Sequence, residues 1–262
     1  MSGEFPKGRF VWFDLMTEDP AGGQDFYTQL IGWGTEVWDG GEKPYTMWKN
    51  GETPMGGVTQ LPDQAKQRGA PSHWLGYVAV PDTDASVAEA KSLGGSVHVE
   101  PMEIPTVGRF AVLADPQGAV FAVFTPAGEA PGHEGPAAQG EVAWHELMAE
   151  DYEAAFDFYE KLFGWQKTDT MDIGDGGVYQ MYGRGGAPMG GMFNKPAEMP
   201  ASAWLYYFVV PDVDASAGRI KELGGRILNG PMEVPGGGRI VQAMDPQGAA
   251  FALHTPGAEQ TG

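Results

Sequence analysis

The sequence has no cysteine, no long apolar run and little positive charge, and each absence excludes a class of protein. None of the 262 residues is cysteine, which excludes disulfides, thiolate metal sites and a cysteine nucleophile. No stretch of about 18 apolar residues occurs, which excludes a membrane-spanning helix. Asp and Glu outnumber Lys and Arg by 35 to 16, and the formal net charge is −19. Such a surface would repel a nucleic-acid backbone.

These features predict a cytoplasmic protein without a membrane or nucleic-acid partner. The N-terminal sequence MSGEFPKGRF lacks the apolar core of a signal peptide. The length exceeds one typical domain of roughly 100–150 residues, so we expect two domains. The sequence leaves the oligomeric state open. A monomer with two domains related by a pseudo-twofold axis is our expectation, because copies of one surface readily pack self-complementarily.

An internal repeat covers nearly the whole chain, and such repeats decide the fold. It predicts a first domain at 1–127, a Gly/Pro/Ala-rich linker at 128–140 and a second domain at 141–262. The matching pairs share order and spacing. They are VWFDLMTEDPAGGQDFYTQLIGW and AWHELMAEDYEAAFDFYEKLFGW, PMGG and PMGG, PDTDASVAEAKSLGG and PDVDASAGRIKELGG, PMEIP and PMEVP, and ADPQGAVFAVFTP and MDPQGAAFALHTP.

Each repeat divides again into two halves of similar pattern. An alternating strand precedes an Asp that caps a helix, and about three short strands follow, so a βαβββ module occurs four times. We expect Asp19 and Asp151 to cap the helices of the first halves, and Asp84 and Asp214 those of the second. DPQG is predicted to be the turn between the last two strands of each repeat.

The ordered motifs resemble the vicinal-oxygen-chelate superfamily, which includes glyoxalases, bleomycin-resistance proteins and extradiol dioxygenases. The Asp after the first strand, the Phe-Tyr pair in the helix, the following Gly-Trp and the DPxG turn recur in that superfamily. The tandem two-domain, glyoxalase-like group is the most similar. The resemblance implies an α+β fold of four βαβββ modules. Each of the two glyoxalase-like domains would be a cupped mixed sheet around a pocket, with helices outside.

The resemblance also implies where a metal would bind, and this chain lacks ligands there. Metal-dependent members place His, Gln or Glu on the first and last strands of the modules. Seven residues before the helix-capping Asp, that position falls on Trp12 and Trp144. In the remaining first and last strands it falls on Leu75, Leu205, Ala122 and Ala252. We therefore predict no cofactor, with a displaced divalent metal as a disfavoured alternative.

Strand alternation predicts what faces the pocket instead. Aromatic and Met side chains with a few polar groups are typical of small-molecule sites. A carboxylate lies among them in each repeat, and an unpaired buried charge is unfavourable in a purely structural core. The predicted ligand-binding residues are Trp12, Asp14, Tyr45, Met47, Tyr77, Phe124, Trp144, Tyr179, Met181 and Tyr207.

Three functions are compatible with this pattern. The first is a metal-independent protein that holds a small, largely apolar or aromatic molecule. The second is a lyase or isomerase of glyoxalase type, in which Glu146 and His254 are the catalytic pair and an inward carboxylate is the general base. In the third, bulky side chains fill the pockets and the role is structural. Fold membership alone does not choose between them.

Overall fold

The computed structural model of the protein describes residues 5–41 and 44–257, and it contains the four predicted βαβββ modules. Module 1 comprises β1 (Phe10–Thr17), α1 (Pro20–Ile31), β2 (Gly34–Trp38), β3 (Tyr45–Asn50) and β4 (Thr53–Gln60), followed by the short α2 (Asp63–Gln67). Module 2 comprises β5 (His73–Ala79), α3 (Thr83–Ser92), β6 (Ser96–Ile104), β7 (Gly108–Ala114) and β8 (Val120–Pro126).

The second repeat has the same order of elements. Module 3 comprises β9 (Val142–Ala149), α4 (Tyr152–Phe163), β10 (Gln166–Asp172), β11 (Val178–Gly183) and β12 (Pro188–Asn194). Module 4 comprises β13 (Ala203–Val209), α5 (Val213–Glu222), β14 (Arg226–Glu233), β15 (Arg239–Met244) and β16 (Ala250–Thr255). Within the described ranges, no helix combines the length and the apolar character needed to cross a membrane.

Each repeat forms one eight-stranded sheet. The strand orders are β2-β3-β4-β1-β5-β8-β7-β6 and β10-β11-β12-β9-β13-β16-β15-β14. In every module the first and last strands pair in parallel, and the remaining hairpins are antiparallel. The sheets are therefore mixed, and the predicted α+β class with four βαβββ modules is confirmed.

The helix starts follow the predicted capping in the odd modules and differ in the even ones. Asp19 accepts a hydrogen bond from Gly22 N at 3.0 Å, and Asp151 caps α4 in the same way. In modules 2 and 4 the caps are Asp82 and Asp212, so the assignment to Asp84 and Asp214 was wrong by two residues. The PDxDA sequence offers two acids, and only the first lies where the chain is still extended.

Three elements carry little sequence signal. The edge strands β2 and β10 are mostly exposed, and their side chains do not alternate between apolar and polar. The helix α2 has no buried residue. Periodic burial is the main signal for a sheet or helix, and these segments lack it because they pack against little.

The chain divides into two compact units that each take segments from both repeats. Unit A comprises the chain up to Trp12, Leu75–Gly132 and His145–Trp204. Unit B comprises Phe13–Trp74, His133–Trp144 and the chain from Leu205 onward. Unit A therefore contains most of modules 2 and 3, and unit B most of modules 1 and 4. The predicted boundaries at 127 and 141 describe the repeats and stay a prediction.

A buried Trp–Tyr–Asp hydrogen-bond chain lies in the core of each unit. In unit A, Trp204 Nε1 donates to Tyr159 Oη at 3.2 Å, and Tyr159 Oη donates to Asp115 Oδ2 at 3.1 Å. Unit B has the equivalent chain Trp74–Tyr27–Asp245, with distances of 2.9 and 3.2 Å. The repeated Phe-Tyr and DPQG motifs thus meet in the core, each partner coming from a different repeat.

The same Asp also shapes the DPQG turn. Asp115 Oδ1 accepts hydrogen bonds from the backbone N–H groups of Gln117 and Ala119, both at 2.9 Å. Burial raises the pKa of the Asp115 carboxyl, and the backbone donors and Tyr159 oppose that rise. The folded state therefore binds this proton more tightly than the unfolded chain does. Ionisation of Asp115 at rising pH costs folding free energy, and the Tyr159 hydroxyl offsets part of that cost.

Replacing Tyr159 by Phe is expected to destabilise the protein by about 1.5–3 kcal/mol at neutral pH, because a hydrogen bond to a charged group is lost. The loss is expected to shrink as the pH falls through the raised pKa of Asp115, since the protonated acid needs the donor less. Urea unfolding at several pH values measures both effects. Tyr152→Phe, which removes a hydroxyl with only an exposed contact at the start of the same helix, is the matched control. An equal loss in the two variants would contradict the role of the buried chain.

Candidate functional site

The first strand of each repeat buries apolar side chains on one face and carries an acid on the other. On β1, Phe13 and Leu15 are buried in the core of unit B, and Phe13 lies edge-on to Tyr206 with ring centroids 5.2 Å apart. Asp14 points to the opposite face, as strand alternation requires. Module 3 repeats this arrangement in unit A, where Leu147 is fully buried and Glu146 is the acid.

Each acid accepts a hydrogen bond from a tyrosine two strands away. In unit B, Tyr45 on β3 donates to Asp14. In unit A, Tyr179 Oη on β11 donates to Glu146 Oε2 at 2.9 Å. Both acids are only 6% exposed, so each pair is a buried hydrogen bond between a carboxyl group and a phenol. Four of the predicted site residues are therefore brought together in two matching pairs.

The glycines of the PMGG motif make these pairs possible. Tyr45 and Asp14 lie on either side of β4, and a Cβ added to Gly57 would collide with the Tyr45 ring. A Cβ added to Gly191 would collide with the Tyr179 ring in the same way. The ring therefore crosses the strand directly over the glycine. The sequence shows the PMGG motif in both repeats, but not that a tyrosine passes over it.

The remaining predicted residues fall on the same strand faces. Met47, Gly57 and Asp14 form one row across three strands, and Met181, Gly191 and Glu146 form the matching row. Trp12 and Trp144 lie two residues before the acids on the same strands. On β5 and β13, Tyr77 and Tyr207 are buried, and Phe124 and His254 lie near the ends of β8 and β16.

Module 4 contains a polar residue, Gln242, that the prediction missed. Gln242 Nε2 donates to Tyr207 Oη at 2.6 Å, whereas Tyr77 has the Phe110 ring beside it, with centroids 6.0 Å apart. Gln242 corresponds to Val112 in the first repeat. Alignment of the two repeats could have indicated this residue, because it places the amide Gln242 opposite the apolar Val112 on a strand next to the predicted ligand-binding residues.

The predicted catalytic pair, Glu146 and His254, stays a prediction. The hydrogen bond found for Glu146 comes from Tyr179. Nδ1 of His254 is buried and has no hydrogen-bond partner among the described residues. Burial lowers the pKa of the His254 imidazole, so the ring is neutral at pH 7 and is able to accept a proton.

Other polar residues near these strands have structural contacts. His145 is buried, its Nδ1 lies 2.8 Å from Met189 O, and its ring stacks on Phe10 at 4.2 Å. Burial lowers the pKa of His145 to about 4. Arg109 and Arg239 form two-bond ion pairs with Asp84 and Asp214, with Nε–Oδ2 distances of 2.7 and 2.8 Å.

Comparison with known proteins identifies the family. Residues 10–124 match the glyoxalase-like domain, and residues 141–253 match the glyoxalase/bleomycin resistance protein/dioxygenase superfamily. CFP32 of Mycobacterium tuberculosis, provisionally named a glyoxylase, is 33% identical over 98% of both chains. The anthracycline biosynthesis protein DnrV of Streptomyces peucetius is 35% identical over 95% of this chain and 94% of its own. The chain belongs to the glyoxalase/bleomycin resistance protein/dioxygenase superfamily.

Solved structures of the superfamily share the fold at low identity. The Mn(II)-bound glyoxalase of Novosphingobium aromaticivorans is 16% identical, with a TM-score of 0.65 over 96% of this chain and 82% of its own. The 2,3-dioxygenase LapB of Pseudomonas sp. KL28 is 12% identical, with a TM-score of 0.66 over 97% and 93% of the two chains. At this identity the likeness establishes the fold alone.

The residues at the superfamily's metal positions do not fit a metal. Trp, Leu and Ala offer no ligand atom for a divalent cation. Ala252 pairs with Gln242 on one neighbouring strand and with Tyr207 on the other. The hydrogen bond between Gln242 and Tyr207 therefore crosses the strand at the small Ala252 side chain. The described residues also contain no cluster of three or more His, Asp or Glu side chains placed to hold an ion. No step in this protein is therefore assigned to a metal.

Replacing Gly191 by Ala is expected to displace Tyr179 from Glu146 and to destabilise the protein by about 1–3 kcal/mol, because overpacking forces side chains out of position. Thermal or urea unfolding measures the cost. In a Tyr179→Ala background the same change is expected to cost much less, since the colliding ring is absent. Gly186→Ala, at a position with open space around it, is the control. Equal costs in both backgrounds would contradict the steric role of Gly191.

Proposed function

We propose that this protein binds a small, largely apolar or aromatic molecule on the strand faces that carry the two acid–tyrosine pairs, without the superfamily's metal. The observation that carries the proposal is the pairing of a buried carboxylate with a tyrosine hydroxyl in both repeats. A structural core gains little from a buried charge, because a well-packed apolar pair of similar volume is often as stable. A binding site gains an oriented polar contact within an apolar surface.

The side chains around each pair support an aromatic ligand. Met47 and Met181 lie in the same rows as the acids, and Trp12 and Trp144 lie beside them on the same strands. Aromatic rings stack on planar ligands, and Met side chains adapt to their shape. The relative DnrV is named for anthracycline biosynthesis, and anthracyclines are polycyclic aromatic compounds with phenolic and quinone oxygens.

Titration with daunorubicin, an anthracycline with visible fluorescence, tests the proposal. We expect saturable binding to the purified protein, and an affinity about tenfold lower for Glu146→Gln, because the carboxyl group that Tyr179 holds is replaced by an amide. Glu153→Gln on the surface of α4 is the matched control and should bind like the unaltered protein. No binding to the unaltered protein, or equal affinity in all three, would contradict the proposal.

The proposed independence from metal has its own test. We expect elemental analysis of protein purified without added metal to show no stoichiometric zinc, nickel, manganese or iron. We also expect EDTA to leave the melting temperature and the daunorubicin affinity unchanged. A metal bound only to the folded state would stabilise it, and removal of that metal by EDTA would lower the melting temperature. A stoichiometric metal whose removal lowers both quantities would contradict the metal-free site.

A second candidate is a lyase or isomerase in which Glu146 acts as general base with His254. The observation that favours it is the neutral His254 ring with its unpartnered buried nitrogen. A positioned carboxylate or imidazole can act as a general base toward a proton next to a carbonyl group. Turnover of the glutathione–methylglyoxal hemithioacetal separates this candidate from pure binding. The candidate predicts turnover by the unaltered protein that is lost in Glu146→Gln and kept in Asp14→Asn, whereas pure binding predicts no turnover in any of the three.

A further inference from the structure

The last module carries three polar side chains where module 2 carries apolar ones. Strand registers are identical in the two modules, so positions correspond one to one. Around the shared tyrosine, Asn229, Gln242 and His254 stand in place of Val99, Val112 and Phe124. All three polar residues belong to unit B. The two tyrosines, Tyr77 and Tyr207, therefore lie in different chemical surroundings on the same fold.

The first two polar residues orient Tyr207. Asn229 Nδ2 donates to Gln242 Oε1 at 3.3 Å, and Gln242 Nε2 donates to Tyr207 Oη at 2.6 Å. The amide reaches Tyr207 across Ala252, which is small enough to let it pass. Because the Tyr207 oxygen accepts this hydrogen, its own O–H is directed toward a different acceptor. Val112 cannot orient Tyr77 in this way.

The third polar residue, His254, occupies the place of a phenylalanine ring. A Cβ added to Gly238 would lie 2.9 Å from His254 Nε2, and one added to Gly108 would lie 2.7 Å from Phe124 Cε2, so each glycine borders the corresponding ring. Nδ1 of His254 is buried with no partner in the described part of the chain. A buried polar atom without a partner is unfavourable, and such atoms in folded proteins call for a functional explanation.

We propose that Tyr207 and His254 bind an oxygen atom of the aromatic ligand, a phenol hydroxyl or a ring carbonyl, and that Gln242 is the residue positioning Tyr207. This inference rests on the proposed binding function and adds a preference for ligands that carry such an oxygen atom. His254 is two residues beyond Ala252, the Cα partner of Tyr207, so the two side chains are diagonal neighbours on one sheet face. On the corresponding face of module 2, Phe110 pairs with Phe124 on the neighbouring strand, and the Phe110 ring lies beside Tyr77.

The chemistry of the pair favours a neutral oxygen over an anion. The neutral imidazole offers one donor and one acceptor, and Tyr207 adds a phenol oxygen held by Gln242. A phenol or ketone oxygen fits these groups, whereas a carboxylate or phosphate would be repelled by a chain of net charge −19. A site that hydrogen-bonds a ligand oxygen discriminates strongly against the analogue that lacks it.

Equilibrium dialysis with 1-naphthol and naphthalene, which differ only in a hydroxyl group, tests the proposal. We expect the unaltered protein to prefer 1-naphthol by roughly three- to tenfold for each hydrogen bond made. Gln242→Val and His254→Phe should each lower this preference ratio toward one. Both changes install the residue that module 2 already carries at the same place, so the fold accommodates them. His133→Phe, an exposed histidine outside these strands, is the control and should keep the ratio.

The reciprocal change guards against an effect of misfolding. Val112→Gln with Phe124→His should raise the 1-naphthol preference in a protein whose module 4 is intact. In the unaltered protein, the ¹⁵N resonance of His254 Nδ1, assigned by its loss in His254→Phe, should shift with 1-naphthol and not with naphthalene. Binding of both probes with equal affinity, unchanged by any variant, would overturn this inference and leave the proposed function standing. Absence of binding by either probe would overturn both.

Discussion

A buried acid that is held from two sides organises each half of this protein. Asp115 and Asp245 close their own DPQG turns with one carboxylate oxygen and receive a core tyrosine with the other. Desolvation alone would make a buried carboxylate unfavourable. The backbone donors, the tyrosine and the tryptophan behind it satisfy the group, so the network fixes where the turn, the helix and the sheet meet. The repeated Phe-Tyr and DPQG motifs of the sequence supply the tyrosine and the aspartate of this network.

That fixed core leaves the opposite strand faces available for other chemistry. One face of β1 and β9 is committed to the core, and the other carries an acid that is met by a tyrosine crossing a glycine. Neighbouring glycines therefore serve different purposes. Gly56 and Gly190 lie against the backbone of the adjacent first strand, and Gly57 and Gly191 lie under the tyrosine rings. The first glycine of each Gly-Gly pair therefore serves strand packing, and the second makes room for the tyrosine of the candidate site.

The fold could be predicted because its strongest signals, the internal repeat and the periodic pattern of apolar residues, can be read directly from the sequence. It placed Asp14 and Tyr45 on one face by alternation alone. It did not find their hydrogen bond, because contact across β4 depends on the space above Gly57. The PDxDA motif shows another limit. Two acids two residues apart both suit a helix start. The extended backbone at Asp82 makes it the cap, and Arg109 lies where it forms an ion pair with Asp84.

The exchange of partners between the repeats bears on how such a chain arose. Tyr27 of the first repeat needs Asp245 of the second, and Tyr159 of the second needs Asp115 of the first. An ancestral single repeat would have lacked these partners by itself and would have obtained them from another copy. Gene fusion would then have turned a two-chain assembly into one polypeptide. Once joined, the copies would have been free to change separately, and module 4 now carries an amide and an imidazole where module 2 carries valine and phenylalanine.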